Sequence, residues 1–203
     1  MQAPLCDPWR LADGQLVVVR GATRADIPAV QAFMGQLSLQ SRYHRFLYAA
    51  RELTPPMQRQ FTRSNPKVEM SLLAMAIHED GSEALLGAAQ YAVTRWPDSC
   101  EFAVVVADAW QRRGIARRLL RDLIGVATAA GLQSMQGDTL VENEAMRRLL
   151  QQLGFALQRH PDGALLRRAV KALDAPLDAN CPVLAQVAQL ARALRPPAPV
   201  AQV

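Results

Sequence analysis

The fold is decided by the stretch FAVVVADAWQRRGIA, residues 102–116. Its first half is an unbroken apolar run, which predicts a buried β-strand from Cys100 to Ala107. Its second half is polar and contains Gly114, after which apolar residues recur at helical spacing. The stretch therefore predicts a strand, a tight loop and the start of an amphipathic helix in immediate succession.

The loop and helix start in this stretch have the properties of an anion site. Backbone N–H groups in the first turn of a helix have no partner inside the helix, and the helix dipole places partial positive charge there, so the main chain alone can bind a pyrophosphate. Gly114 lets the backbone approach the ligand, and the small Ala116 keeps the first turn open. Four nearby arginines add charge-assisted contacts or steering, or simply occupy solvated positions: Arg112, Arg113, Arg117 and Arg118.

Before this stretch the chain alternates between strand and helix signals. Leu16 to Arg20 is a β-branched run, and a capping box at Thr23 opens a helix after it. Helices are also predicted from Ser41 to Ala50 and after Thr54. Short turns then join three strands into an antiparallel meander: Val68 to Ile77, Ala84 to Thr94 and Cys100 to Ala107.

After residue 116 the helical period continues to Gly131, which is expected to end the helix, with Asp122 on its solvent face. A strand from Leu132 to Val141 and a helix from Glu142 to Leu153 follow, and Ala145 is expected on the buried face of that helix. A last hairpin joins residues 155–158 to residues 164–170.

Length and composition predict one domain with tails. The chain has 203 residues, of which 50% are hydrophobic and 20% charged. We assign residues 16–170 to the domain, 1–15 to an N-terminal extension, and 171–203 to an Ala/Pro-rich tail with one helix predicted from about Pro182 to Leu194. The chain shows no signal-peptide pattern and no apolar run near the roughly 20 residues that span a bilayer, so we expect a cytoplasmic protein without a membrane partner.

Other residue types exclude several classes of function. The cysteines are odd in number, widely spaced and without a metal-ligand pattern, so we expect reduced thiols and no metal: Cys6, Cys100 and Cys181. The net charge of +5 is not accompanied by the aromatic and basic pattern that stacks bases, which favours an anionic cofactor or partner over nucleic acid. The histidines are unclustered and are interpreted as surface or loop residues: His44, His78 and His160.

The loop with its flanking strand and helix resembles the central motif of the GNAT superfamily of N-acyltransferases, Gln/Arg-x-x-Gly-x-Gly/Ala, through Gln111, Gly114 and Ala116. A downstream helix with an early Asn and a Gly-Phe end, residues 143–155, is also similar. Over residues 16–170 the resemblance implies an α+β fold with three α/β/α layers. Its mixed, mostly antiparallel sheet of six to seven strands is expected to splay at the acyl-CoA site.

The resemblance implies acetyl-CoA as the acyl donor. The pantetheine arm would pair with the open edge of the fourth predicted strand, and the phosphates would lie at the loop. The donor-binding residues that it implies are Val104, Val105, Val106, Gln111, Arg112, Arg113, Gly114, Ile115, Ala116, Arg117, Asn143 and Met146. For Asn143 two interpretations are open, a contact to the pantetheine arm and a helix N-cap.

A narrower likeness rests on two parts of the chain. They are Leu37-Ser38 with Ser41-Arg42-Tyr43-His44-Arg45-Phe46, and Cys100-Glu101-Phe102-Ala103-Val104. They resemble the protein-lysine acetyltransferases that modify acyl-CoA synthetases, which implies a protein lysine as acceptor and an acyl-CoA synthetase as a candidate partner. The resemblance places three residues on the acceptor side, and a solvated amphipathic turn is the alternative interpretation: Arg42, Tyr43 and Arg45. It also implies that Glu101 is the general base.

A base is needed because a lysine amine, with a pKa of about 10.4, is neutral in only about one part in a thousand near pH 7.5. Glu101 either accepts the amine proton or is a solvated carboxylate at a strand end. Many superfamily members carry a Tyr that protonates the departing thiolate, and Leu150 stands at that position here. A CoA thiolate, with a pKa of about 8.5, leaves without such help.

Two further functions are open at this point. One is a GNAT enzyme that acts on a small amine such as a polyamine, an amino acid or an antibiotic. The other is a non-catalytic acyl-CoA-binding regulatory domain, which Leu150 and the Ala/Pro-rich tail favour. A homodimer is equally open.

Overall fold

The computed structural model describes residues 8–46, 53–62, 64–96 and 98–173. Several predictions fall outside the described residues: the end of the helix predicted to reach Ala50, the helix after Pro182, and the thiols of Cys6 and Cys181. None of the described helices is long and apolar enough to cross a membrane.

Within the described part of the chain, nine strands form one sheet in the order β1-β2-β4-β5-β6-β7-β9-β8, and β3 pairs with β4. Their bounds are β1 Trp9–Arg10, β2 Leu16–Gly21, β3 Ser64–Asn65, β4 Glu69–Ile77, β5 Glu83–Val93, β6 Ser99–Val106, β7 Ser134–Leu140, β8 Ala156–His160 and β9 Gly163–Ala172. The seven longer strands are those that the sequence predicts. The other two, β1 and β3, have only two residues each and carry no recognisable period.

The strands β6 and β7 are the parallel neighbours in an otherwise antiparallel sheet. They pair over three residues each, from Ser99 with Ser134 to Glu101 with Gln136. Beyond Glu101 the two strands separate, which leaves the edge of β6 from Phe102 to Val106 facing a gap. The expected mixed, mostly antiparallel sheet that splays in its middle is therefore confirmed.

Helices cover both faces of this sheet. They are α1 Ile27–Gln36, α2 Leu39–Phe46, α3 Pro55–Phe61, α4 Ile115–Ala129 and α5 Glu144–Gln152. Alternate residues of β4 belong to two separate cores: Leu73 and Met75 pack with α1 and α3, while Leu72 and Ala74 pack with α4. Because a parallel pair needs a crossover connection, α4 joins β6 to β7. The three-layer α+β fold is thus confirmed.

Local signals placed most helix ends correctly. The predicted capping box is present, because Thr23 and Asp26 exchange hydrogen bonds before α1, although a short 3-10 turn at Arg24–Asp26 precedes the helix. Gly131 has a φ of 86° directly after the last turn of α4. Such left-handed backbone favours glycine and ends the helix as expected.

Three burial predictions were wrong. Asp122 is only 4% exposed, because Arg118 bonds both of its carboxylate oxygens and removes them from solvent. Ala145 is exposed rather than buried, since its side of α5 lines the gap beside β6. His160 lies at the end of β8 and is buried at 8% exposure, because Asp138 and Arg168 surround its imidazole.

Candidate functional site

A cavity of about 530 Å³ occupies the gap between β6 and β7. The exposed edge of β6, the loop before α4, and residues of α2 and α5 form its walls. It therefore lies where the sheet splays, beside the loop that the sequence singled out.

The backbone of β6 presents unpaired polar groups to this cavity. The Ala107 N–H donates to the Leu86 carbonyl at 2.9 Å, which turns that residue toward β5. Because successive residues of a strand point their backbone groups to opposite edges, Val104 and Val106 face the gap. The Val106 carbonyl accepts a bond from Gln111 Nε2 at 3.2 Å. The edge thus leaves both backbone groups of Val104 and the Val106 N–H for an extended ligand.

The N-terminus of α4 opens onto the same space. Gly114 is the residue before the helix and has a φ of 87°, and Arg112 also lies in the left-handed region with a φ of 59°. No side chain caps this end of the helix. The first backbone bond runs from the Arg118 N–H to the Gly114 carbonyl, so the N–H groups of the preceding turn are unpaired within α4. Partial positive charge collects at this point.

The charges around the cavity suit a polyanion. Among the described lining residues four are arginines: Arg45, Arg112, Arg117 and Arg148. Asp138 is the one acidic residue in that lining, and Arg168 binds both of its carboxylate oxygens at 3.0 and 3.2 Å. The cavity volume, the open strand edge, the uncapped helix and these arginines together fit the pantetheine and phosphates of an acyl-CoA.

A hydrogen-bond network fixes the loop before α4 to α2. The Asp108 carboxylate accepts bonds from the Ser38 N–H and hydroxyl and from the Ser41 hydroxyl, at 2.7 to 2.9 Å. Gln111 Nε2 donates to the Ser41 hydroxyl at 3.0 Å. Partial burial alone would raise the pKa of Asp108, but the hydrogen bonds from Ser38 and Ser41 outweigh it and lower that pKa below its ordinary value. The carboxylate therefore stays charged and holds α2 against the loop.

Most of the predicted donor-binding residues line the cavity: Val104, Val105, Val106, Gln111, Arg112, Gly114, Ala116, Arg117, Asn143 and Met146. The structure places two others elsewhere. Arg113 forms an ion pair with Asp13 and stacks 4.7 Å from the ring centre of Trp110. Ile115 is 1% exposed in the core beneath α4.

Of the two interpretations of Asn143, the helix N-cap is confirmed, and the contact to the pantetheine arm stays a prediction. Its Oδ1 accepts a bond from the Met146 N–H at 3.1 Å and so caps α5, while the residue also lines the cavity. Leu150, at the position where tyrosine is common, lines the cavity and is 1% exposed. An apolar side chain there leaves no proton donor at that position.

The acceptor-side residues have three different environments. Glu101 is exposed and does not line the cavity; it is the last residue of β6 that pairs with β7. Arg45 lines the cavity and lies over the rings of Phe46 and Phe61, at 4.7 and 5.5 Å. Tyr43 is 43% exposed on the outer side of α2. The Arg42 side chain is half-buried, with its Nε enclosed.

The sequence did not single out Phe102 as a wall of the cavity. Its ring packs against Phe155 with the ring centres 5.1 Å apart, and it lies over Gly137 of β7. A Cβ at Gly137 would come within 2.6 Å of the ring. Glycine in the middle of a predicted strand is the signal for such a close approach. The Phe102 ring thus occupies the space directly where β6 and β7 separate.

Ser41, His44 and Asp138 were also missed, and each lines the cavity. His44 was interpreted as a surface residue; the structure places it on α2 with its ring against Asn143. No group of three or more potential ligand side chains that could hold a metal ion occurs among the described residues. Burial raises the pKa of the Cys100 thiol to about 12, so this buried cysteine is not a nucleophile.

A sheet opened between two parallel strands, beside an uncapped helix N-terminus led by a glycine, fits the acyl-CoA N-acyltransferase class. The family model described as an acetyltransferase (GNAT) domain matches residues 17–156. An acetyltransferase of Pseudomonas aeruginosa is 35% identical over 158 residues, which cover 77% of this chain and 84% of that protein.

Solved structures share the fold. The GNAT domain of S. lividans PAT superposes with a TM-score of 0.73 at 24% identity, covering 83% of this chain and 97% of that one. YncA of Salmonella typhimurium, a putative acetyltransferase solved with acetyl-CoA, superposes with a TM-score of 0.59 at 22% identity, covering 80% and 98%. The chain belongs to the GNAT acetyltransferase family. It is an acetyltransferase that uses acetyl-CoA as its acyl donor.

Proposed function

We propose that this enzyme acetylates the side-chain amine of a protein lysine, by direct attack on acetyl-CoA with Glu101 as the general base. The position of Glu101 supports the proposal best. Glu101 alternates with Phe102, so it faces the same side of the sheet as Val105, which packs toward α1 and α3. It is exposed at the point where β6 and β7 begin to separate. A lysine carried on a large protein can reach such a carboxylate from solvent.

The residues around Glu101 keep this face polar. Asp138 and Arg168 lie on the same face of the sheet, since they pair directly across β7 and β9. The hydrogen bond from Arg168 to Asp138 raises the pKa of Arg168, and the charge of Glu101 adds to that rise. A permanent cation therefore lies within electrostatic range of Glu101.

Apart from the base, the reaction needs few other groups from the protein. Glu101 removes a proton from the lysine ammonium, directly or through one water, and the freed amine attacks the thioester carbonyl. The nitrogen–carbon bond forms as the carbon–sulfur bond breaks, the sulfur leaves as a thiolate, and the second proton of the nitrogen passes to that thiolate or to solvent. Because a thiolate of pKa about 8.5 is a good leaving group, the apolar Leu150 in place of a tyrosine is compatible with turnover.

The substitution Glu101→Gln tests the role of the base. We expect unchanged acetyl-CoA affinity by calorimetry and a turnover lowered by roughly 10²- to 10⁴-fold, most strongly near neutral pH, where the amine is protonated. Glu79→Gln, at an exposed residue of the turn between β4 and β5, is the matched control and should keep wild-type turnover. An unaltered pH–rate profile in Glu101→Gln would remove Glu101 from the mechanism.

The acceptor is identified by incubating the enzyme and labelled acetyl-CoA with a cell lysate and, separately, with a panel of small amines. Label on protein lysines, absent with Glu101→Gln, supports the proposal. Label confined to polyamines, amino acids or antibiotics would replace it with a small-amine acetyltransferase. Tight acetyl-CoA binding without any labelled product would indicate a regulatory acyl-CoA-binding domain.

A further inference from the structure

His44 connects two walls of the donor cavity. It belongs to α2 and lines the cavity, and its Nδ1 lies 3.3 Å from Asn143 Nδ2 at the start of α5. The orientation of the Asn143 amide is determined, because its Oδ1 already accepts the Met146 N–H. The amide nitrogen therefore faces the imidazole and can only donate. It follows that His44 Nδ1 is the acceptor and that the neutral ring carries its proton on Nε2.

The other ring nitrogen of His44 is left without a partner. Nε2 is buried and has no hydrogen bond to any described residue. The closest acidic oxygen, Glu142 Oε1, is 4.0 Å away, which is too far for a hydrogen bond. Native structures rarely leave a buried N–H unpaired, because such a group loses its hydrogen bonds to water without gaining others. The Nε2–H group thus lacks an acceptor among the residues that the structure describes.

One turn before His44, the same helix contacts the opposite wall of the cavity. The Ser41 hydroxyl accepts a bond from Gln111 at 3.0 Å, in the loop before α4. Ser41 and His44 are three residues apart and therefore lie on one side of α2. This helix, which the sequence assigned to the acceptor, is held against the phosphate loop at one point and against the start of α5 at the other.

We propose that neutral His44 is a donor-binding residue of this enzyme. Its Nδ1 holds Asn143 in place, and its Nε2–H donates a hydrogen bond to a carbonyl oxygen of the acyl-CoA, an amide of the pantetheine arm or the thioester. The proposal rests on acetyl-CoA as the donor and is independent of which amine is the acceptor.

The proposal predicts the direction in which pH changes acetyl-CoA affinity. Protonation places a hydrogen on Nδ1, so two donors then face each other across the contact with Asn143 and the contact is lost. Acetyl-CoA binding should therefore weaken as His44 becomes charged. A purely electrostatic role predicts the reverse, since an imidazolium attracts phosphates. Glu142 Oε1, in the loop before α5, lies 4.0 Å from His44 Nε2. The other charged residues that line the same cavity are Arg45 of α2, Arg148 of α5, Asp138 of β7, Arg112 of the loop before α4 and Arg117 of α4.

The test is calorimetric acetyl-CoA affinity at about pH 8 and about pH 5.5, a range in which imidazoles gain a proton. The wild-type dissociation constant should rise by roughly tenfold at the lower pH, as expected for the loss of one or two hydrogen bonds. His44→Ala should bind about tenfold more weakly at pH 8 and lose most of the pH dependence. His78→Asn, at an exposed histidine after β4, is the matched control and should behave as wild type.

Two conservative variants keep the experiment decisive if alanine loosens α2. His44→Asn retains an acceptor near the position of Nδ1, and His44→Gln retains a donor near that of Nε2. Each should recover part of the affinity that His44→Ala loses, without the pH dependence, while the thermal unfolding midpoint stays near that of wild type. Equal affinity of His44→Ala and wild type at pH 8, or tighter wild-type binding at pH 5.5, would overturn the proposal. Because the readout is donor binding, the result does not depend on Glu101 or on the acceptor.

Discussion

Replacing Gly137 with alanine tests whether the Phe102 ring maintains the separation of β6 and β7. The added Cβ would lie 2.6 Å from one ring carbon and 2.9 Å from two others. The ring must recede by about 0.8 Å to reach an ordinary contact of 3.4 Å. Phe155 restricts that movement, since its ring centre is 5.1 Å from that of Phe102. Displacement of the ring into the donor cavity is therefore the open route.

The magnitude follows from two opposing effects. Overpacking in a buried site costs about 1 to 3 kcal/mol of unfolding free energy. The backbone of Gly137 is not in the left-handed region, so alanine also restricts the unfolded chain and recovers about 0.4 to 1 kcal/mol. We expect Gly137→Ala to be less stable by about 1 to 2 kcal/mol in urea unfolding. Acetyl-CoA affinity should fall as well, because Phe102 lines the cavity.

A double-mutant cycle assigns this loss to the ring. In a Phe102→Leu background the clash is relieved, and Gly137→Ala should then cost at least about 1 kcal/mol less than in wild type. Gly35→Ala is the matched control, since a Cβ at that exposed residue of α1 meets nothing within 4 Å and should stabilise by about 0.5 to 1 kcal/mol. The Phe102 ring is not what opposes a side chain at residue 137 if Gly137→Ala is as stable as wild type. The same holds if the substitution lowers the unfolding free energy equally in both backgrounds.

Two further substitutions are each tested by a pair of measurements. Arg112→Gly should raise the unfolding free energy by about 0.5 to 1 kcal/mol, because glycine adopts the left-handed backbone of this position without strain. It should also lower acetyl-CoA affinity several-fold at low salt, because a cation of the cavity is lost. A variant whose stability in urea and affinity by calorimetry both rise, or both fall, would contradict this. Asp108→Asn should lose about 1 kcal/mol at neutral pH. Because the pKa of Asp108 is lowered below 3.8 in the folded state, its stabilisation is present above that pH and is lost as the pH falls through the folded pKa. The difference between Asp108→Asn and wild type in unfolding free energy should therefore shrink on acidification. A difference that does not change with pH would mean that the charged carboxylate is not the source of the stabilisation.

Local signals explain how much of the fold could be predicted. The change from an apolar run to helical spacing at Gly114 depends on neighbouring residues alone, and the structure has β6, the loop and α4 in that order. The face of Glu101 follows from strand alternation in the same way. By contrast, β1 and β3 form only because β2 and β4 offer them an edge, so their two-residue segments carry no signal of their own.

The missed part of the site consists of contacts between distant segments. Asp108 binds Ser38 and Ser41 about seventy positions earlier in the chain, and His44 meets Asn143 ninety-nine positions later. No period or spacing encodes such pairs, because they exist only once the sheet has brought α2, the loop and α5 to one place. Arg113 was predicted to bind the donor for the same reason. Its position in the motif can be recognised from neighbouring residues, whereas its ion pair with Asp13, a hundred positions earlier, cannot.

The short pairing of β6 with β7, from Ser99 with Ser134 to Glu101 with Gln136, is the weakest boundary between neighbouring long strands of the sheet, and we call it the seam. Within the sheet, three residue pairs join the antiparallel block that ends in β6 to the block of β7, β9 and β8, and the Gln133 and Ser134 N–H groups add bonds to the Asp98 carbonyl. Because local opening starts where the fewest backbone bonds must break, we expect opening of the sheet to begin at this seam. A ligand that bonds to the edge of β6 and to the start of α5 bridges the seam. Binding of this ligand would then slow hydrogen exchange of backbone amides on both sides of the seam together, because the bound substrate supplies the backbone bonds that the sheet lacks there.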